Sequence, residues 1–132
     1  MTLVIDSSAV IAMLDGKPQG DAAFAVASRA AGLLISAGTW LETEIVIERR
    51  RSRTLTQGWG AFQEDLLLTV VDVTERQARI ARDAYRDFGK GSGHPAGLNF
   101  GDCFAYALAR ERRVPLLAAG DDFRHTGIEV LP

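Results

Sequence analysis

Most of the 17 acidic side chains in this 132-residue sequence fall in polar stretches, where hydration is their ordinary fate. Asp6, Glu42, Asp102 and the pair Asp121–Asp122 break that pattern. Asp6 follows the apolar run Thr2–Ile5 and precedes the apolar stretch Ala9–Leu14. Glu42 shares a helical stretch with Leu41, Ile45 and Val46. At about 100° per residue it falls between Ile45 and Val46, inside the apolar arc, with Glu44 and Glu48 at or beyond its edge. Asp102 opens the stretch Phe100–Arg112, with Ala105, Tyr106 and Ala109 three, four and seven positions on, along the side expected to pack inward. Asp121 and Asp122 follow the apolar run Val114–Ala118. Each has a bland explanation: a helix cap for Asp6, the helix dipole for Asp102, a turn for Asp121 and Asp122, hydration for Glu42.

Taken together the bland explanations weaken. Asp6 and Asp121/Asp122 follow strands, and Glu42 and Asp102 lie in opening helical turns. In an open parallel sheet these positions converge on the carboxyl edge, where ligand crevices form. Carboxylates gathered there repel one another and lose hydration, at a cost of several kcal/mol per ion, which a cation removes. An all-oxygen donor set selects Mg²⁺, with Mn²⁺ as substitute, over zinc or copper. Such an ion activates water and neutralises a phosphate during in-line displacement. The candidate catalytic residues are therefore Asp6, Glu42, Asp102, Asp121 and Asp122, and the candidate metal ligands Asp6, Glu42, Asp102 and Asp122.

Rival chemistries find little support. His94 and His125 lie in loops and read as surface residues; Cys103 reads as a small core residue. Gly91-Ser92-Gly93-His94-Pro95-Ala96 has dinucleotide-fingerprint spacing, but a helix precedes it and Pro95 interrupts it. Gly89-Lys90-Gly91-Ser92 lacks the upstream glycine of a phosphate loop. Arg49-Arg50-Arg51-Ser52-Arg53 is the only basic run, either a solvated helix end or a nucleic-acid contact; Ser8, Arg49 and Arg50 are the candidate contacts.

The elements that must position these residues follow from periodicity and capping. Strands are expected at Thr2–Ile5, Leu33–Ser36, Leu68–Val73, Val114–Ala118 and Ile128–Leu131. Helices are expected from Ala9 to Leu14, Asp21 to Ala31, Thr39 to Arg51, Thr56 to Leu67, Thr74 to Phe88 and Phe100 to Arg112. Gly16–Gly20 and Gly89–Gly97 read as loops. Thr74 and Gln77 have capping-box spacing, and Ala78, Ala81, Tyr85 and Phe88 mark the inward stripe of the helix that follows. Strand–helix alternation implies an α/β fold, with helices on both faces of a mostly parallel sheet. Residues 1–132 are expected to form one domain.

Composition sets outer bounds. Apolar residues make up 47% of the chain, enough for a core without disulfides, and the single cysteine forms no intrachain pair. The stretch Thr2–Leu14 lacks a basic leader and carries Asp6, so it does not read as a signal peptide. No run approaches the roughly 20 apolar residues of a membrane span. A soluble, cytoplasmic protein with no membrane partner is expected. The net charge of −2 argues against nucleic-acid binding by global electrostatics. Of the 15 basic residues all but Lys17 and Lys90 are Arg, a bias that suits phosphate contacts and equally a GC-rich genome.

The constellation resembles the PIN-domain family and, more narrowly, the VapC-type toxins of bacterial toxin–antitoxin pairs. The resemblance rests on Val4-Ile5-Asp6-Ser7-Ser8-Ala9-Val10, on Leu41-Glu42-Thr43, on Leu98 through Ala109, and on Pro115-Leu116-Leu117 running to Gly120-Asp121-Asp122-Phe123. It implies a doubly wound PIN-like domain with a sheet of about five parallel strands. It further implies Mg²⁺-dependent cleavage of RNA, a homodimer, and a cognate antitoxin that blocks the site; a basic residue entering the acidic pocket is the physical form such a block would take. The apolar surplus of Thr39–Leu68 agrees with a dimer. Asp6, Glu42 and Asp102 match the family's acidic positions. At the fourth, Gly120 stands where many members have Asp, and Asp121 and Asp122 follow it.

Three alternatives stay open on the sequence: a PIN-like nuclease acting on DNA or structured ribosomal RNA, a receiver-like signalling domain, and a degenerate PIN fold that only binds. The chain lacks the early acidic pair and late-strand Lys of receivers. Asp6, Glu42 and Asp102 weigh against a degenerate site.

Overall fold

A computed structural model describes residues 1–132. Five strands form one sheet: β1 (Thr2–Ile5), β2 (Gly32–Ser36), β3 (Thr69–Val71), β4 (Leu116–Leu117) and β5 (Val130–Leu131). Every pairing is parallel and the spatial order is β3-β2-β1-β4-β5. The helices are α1 (Ser7–Leu14), α2 (Pro18–Ser28), α3 (Ala37–Arg50), α4 (Arg53–Asp65), α5 (Glu75–Phe88) and α6 (Phe100–Arg112). The expected α/β architecture is therefore present, as one layer of parallel strands between two layers of helices.

Alternation along the strands splits the interior into two cores. Leu3, Ile5, Leu33, Ile35 and Leu117 face α1, α2 and α4, together with Ile47 of α3. Val4, Leu116 and the partly buried Leu34 face α5 and α6. β1 lies at the centre, and its Leu3, Val4 and Ile5 are fully buried. Between β1 and β4 the strand order reverses, and the crevice of a doubly wound sheet opens at the carboxyl ends of such a pair.

Several boundaries differ from the sequence reading. Helix α2 starts at Pro18, inside the stretch read as a loop, with proline at the first helical position where no N–H is needed. Helices α3 and α4 start earlier than expected, at Ala37 and Arg53, because Ser36 and Ser52 cap them. Strands β3, β4 and β5 are shorter than the apolar runs that contain them.

Two helix faces also differ. On α3 the buried stripe is Thr39, Thr43 and Ile47, while Leu41 and Ile45 stand exposed. Thr43 can enter the interior because its hydroxyl donates to the Thr39 carbonyl at 2.8 Å. On α5 the buried positions are Gln77 and Ala84, with Ile80 and Phe88 packed against the core; Ala78 and Tyr85 turn outward. The Thr74 hydroxyl caps this helix through the Gln77 N–H, but the Gln77 amide donates to Glu111 across the α5–α6 seam and completes no capping box.

Candidate active site

Asp6 is the first residue beyond β1 and the N-cap of α1. Its Oδ2 accepts the Ser8 N–H at 3.0 Å. The capping role foreseen as its bland reading is thus real, yet it uses one oxygen only. The side chain is buried and Oδ1 has no hydrogen-bond partner. A buried carboxylate oxygen without a donor is costly unless something else binds it. Burial pushes the Asp6 carboxyl above its ordinary range, the Ser8 hydrogen bonds oppose that rise, and the Glu42 charge adds to it.

Asp102 repeats the design on α6. Asn99 caps the helix by accepting the Asp102 N–H at 2.9 Å, and Asp102 Oδ2 accepts the Asn99 N–H at 3.0 Å. This reciprocal pair is a capping box the sequence reading overlooked. It holds one carboxylate oxygen and leaves Oδ1. The Asp102 carboxyl is pushed up to about 6, first by burial and then by the charges of Asp6, Asp122 and Glu42, against the Asn99 hydrogen bond.

Glu42 is half-buried on the second turn of α3. Its Oε1 accepts the Ser7 hydroxyl at 2.9 Å. The carboxylate lies directly on the backbone of Gly101, where any Cβ would collide with it. Ser7 and Gly101 were not among the residues singled out from the sequence; both sit beside acidic positions, and only the helix contacts show what they hold. Ser8, a candidate nucleic-acid contact, accepts the Ala119 N–H at 3.1 Å and ties the exit of β4 to the first turn of α1.

Asp121 and Asp122 part company. Asp121 is paired with Arg124 at 2.9 Å and its side chain is 87% exposed. Asp122 acts on Asp102 and is in no ion pair. The preceding Gly120 has φ +91°, a left-handed turn that disfavours a side chain, so the chain carries its acid further along. Arg49 and Arg50 close α3 at the end away from Glu42, and Arg50 is bound to Asp15 at 2.6 Å. The structure does not bring them to the carboxylates.

Asp6, Glu42, Asp102 and Asp122 are thus electrostatically coupled, and none of them takes part in an ion pair. No three of them close to the geometry of direct ligands on one ion. Mg²⁺ can be held through one or two carboxylates with water completing its shell, and the unpartnered Asp6 Oδ1 is the buried oxygen there free to accept a cation. Burial and the neighbouring Asp102 push the Cys103 thiol up to about 11, and His94 accepts the Ala96 N–H through Nδ1. A cleft of about 690 Å³ between α5, α6 and the segment leading into β5 lies elsewhere, and of its acids Asp83, Asp87 and Glu111 are paired with arginines. No helix is long and apolar enough to cross a membrane.

Comparison with known proteins places this arrangement. A family model described as PIN domain matches residues 3–129. Ribonuclease VapC28 of Mycobacterium tuberculosis is 46% identical over 127 residues, 96% of each chain. Among solved structures, Mycobacterium tuberculosis VapC20, described as a Sarcin-Ricin loop cleaving toxin, superposes with a TM-score of 0.72 at 21% identity, covering 98% of this chain and 99% of that one. A toxin–antitoxin complex from Klebsiella pneumoniae superposes with a TM-score of 0.72 at 15% identity, over 98% and 96% of the two chains. At those identities the structures speak for the fold alone, but the family match and the VapC relative each span nearly the whole chain. This chain belongs to the PIN domain family, in its VapC group.

Proposed function

We propose that this protein is a Mg²⁺-dependent endoribonuclease and the toxin of a toxin–antitoxin pair. The observation that carries the reading is the buried, unpartnered Oδ1 of Asp6 beside an Asp102 carboxyl pushed up to about 6. The relatives named VapC ribonuclease support the substrate class. When bound, Mg²⁺ or Mn²⁺ would supply an activated water and neutralise phosphate charge. Asp6 and Asp102 would hold it, each through the oxygen its helix cap leaves over. The caps fix both carboxylates before any ligand arrives, so little order must be gained on binding. Glu42, held by Ser7 through Oε1 and seated on Gly101 through Oε2, keeps its charge beside Asp6 and Asp102 and would orient water for the reaction. Asp122 stands at the outer side as the fourth acid.

The same unpaired charge invites a protein inhibitor. An Arg or Lys from a cognate antitoxin would gain charge-assisted hydrogen bonds in the crevice and take the cation's place. The solved toxin–antitoxin neighbours support such a partner. A homodimer belongs to the proposal as well, supported by the exposed Leu41 and Ile45 on α3. The test compares wild-type protein and Asp6→Asn on matched RNA and DNA oligonucleotides, with Mg²⁺ or with chelator. RNA cleavage that needs both Mg²⁺ and Asp6 is expected. Near wild-type cleavage by the folded variant overturns the site, and equal cutting of DNA overturns the substrate class. In a bacterial host the wild-type chain should arrest growth and Asp102→Ala should not.

A further inference from the structure

Phe100, the first residue of α6, is 78% exposed. No other aromatic side chain is as open; Phe24 follows at 50% and Tyr85 at 45%. A ring so placed forgoes most of the stabilisation that burial would bring, and it does so two residues from Asp102. It is nevertheless held. Phe104, one turn on, meets it edge to face, with ring centroids 5.0 Å apart and planes at 80°, a favoured aromatic geometry. Phe104 in turn is seated against Gly38 of α3, where any Cβ would strike its ring. The outer ring is thus an exposed apolar face held by Phe104, on the same first turn of α6 as Asp102.

We propose that Phe100 is a stacking platform for a base of single-stranded RNA, flanking the phosphate presented to the carboxylates. This rests on the reading of the crevice as a ribonuclease site and deepens it. An acidic crevice attracts an RNA backbone poorly by itself, so affinity has to come from a contact indifferent to charge. Stacking of a base on an aromatic ring is such a contact, and it tolerates any base because every base has a π-face. It requires an unpaired segment, since bases within a duplex are already stacked. Phe100 and Asp102 leave the first turn of α6 about 200° apart, so a strand that reaches both lies across the end of the helix. Phe100 is a positioning residue and takes no part in proton transfer.

The test measures binding of a fluorescent single-stranded RNA oligonucleotide to the Asp102→Asn protein, which should not cut it. Phe100→Ala is expected to weaken binding about tenfold, Phe100→Leu as much, and Phe100→Trp little. Replacing one nucleotide at a time by an abasic unit should reveal one position at which Phe100→Ala no longer matters. In the otherwise wild-type enzyme Phe100→Ala should raise KM and leave kcat nearly unchanged. If Leu serves as well as Phe, the contact is apolar rather than stacked and the proposal is overturned. It is equally overturned if Phe100→Ala splits a dimer in light scattering while RNA affinity per chain stays the same, for then the ring faces a second copy. Wild-type protein that cuts RNA with none of these Phe100 effects removes the platform and keeps the ribonuclease; wild-type protein that cuts no RNA removes both.

Discussion

Helix α5 and the carboxyl edge of the sheet carry the same chemical group under opposite conditions. On α5, Asp83 pairs with Arg82 and Arg86, and Asp87 pairs with Arg86, all in open solvent. Arg86 holds the Asp87 carboxyl below its ordinary range. At the sheet edge, Asp6 and Asp102 face no cation and are pushed the other way, chiefly by burial. Exposed pairs of the first kind contribute little to stability. Unpaired acids of the second kind, buried like Asp6 or partly buried like Asp102, oppose folding, and keeping them in one crevice points to a role other than stability. The contrast separates seventeen identical-looking letters into a solvated majority and a working few.

Substitution at equivalent positions breaks the contrast most sharply. Asp6→Asn removes a proposed cation ligand and several kcal/mol of charge stabilisation, so cleavage should fall about 10³-fold. Asp87→Asn should leave the rate of the same assay within about twofold. Equal losses at the two sites would end the distinction.

Next in size is an intermediate loss from crowding the crevice without touching its charge. Gly101→Ala places a methyl group where the Glu42 carboxylate lies. The flexible Glu42 can swing away, so the fold should survive while cleavage drops about tenfold, as when a supporting contact of a metal site is lost. Ser7→Ala, which frees Glu42 Oε1 from its only donor, should act in the same direction and less strongly.

Stability in chelator gives a third comparison, with a sign that follows from linkage. A carboxyl raised from 3.8 to about 6 binds protons more tightly folded than unfolded. Its folding contribution is therefore most favourable at acid pH and declines as pH rises between those two values, and Asp6 adds in the same sense. Metal-free wild-type protein should lose Tm between about pH 4 and pH 6 through Asp102, with Asp6 adding to the loss. Asp102→Asn should flatten that decline and raise Tm at pH 7.5 by about 3–5 °C, allowing for screening at a partly exposed site. Asp83→Asn should do neither. Thermal scans with and without Mg²⁺ check this, since the ion should stabilise wild-type protein and not the Asn variant.

The smallest effect belongs to Arg50. Its contact with Asp15 is partly exposed, and Arg50→Ala should cost about 0.2–1 kcal/mol of stability with no change in RNA affinity. A clear loss of affinity would return the basic run to the substrate path.

The sequence made some of this plain and hid the rest for identifiable reasons. Asp6 and Asp102 stood out because each interrupts an apolar pattern, and such interruptions are local. The sheet was legible because runs as short as Leu33–Ser36 are bounded by turns and followed by helical periodicity. The α3 face was misjudged because Thr39 and Thr43 look polar as letters, while the Thr43 hydroxyl is satisfied within its own helix. Gln77 was taken for a cap because Glu111, its true partner, lies 34 residues away. Ser7 and Gly101 were invisible as supports of Glu42 because both contacts are tertiary. Asp121 and Asp122 could not be told apart from spacing, because what separates them is the Arg124 partner of Asp121 and the nearness of Asp122 to Asp102.

The Ala119–Ser8 hydrogen bond joins positions 111 residues apart. A ribosome reading this message has made Asp6, Glu42 and Asp102 before it reaches β4, the strand that flanks β1 on the crevice side. Until Leu116 and Leu117 pair with Val4 and Ile5, the central strand lacks one neighbour and the wall beside Asp6 is missing. The crevice is therefore among the last parts of the molecule to close as the chain is made.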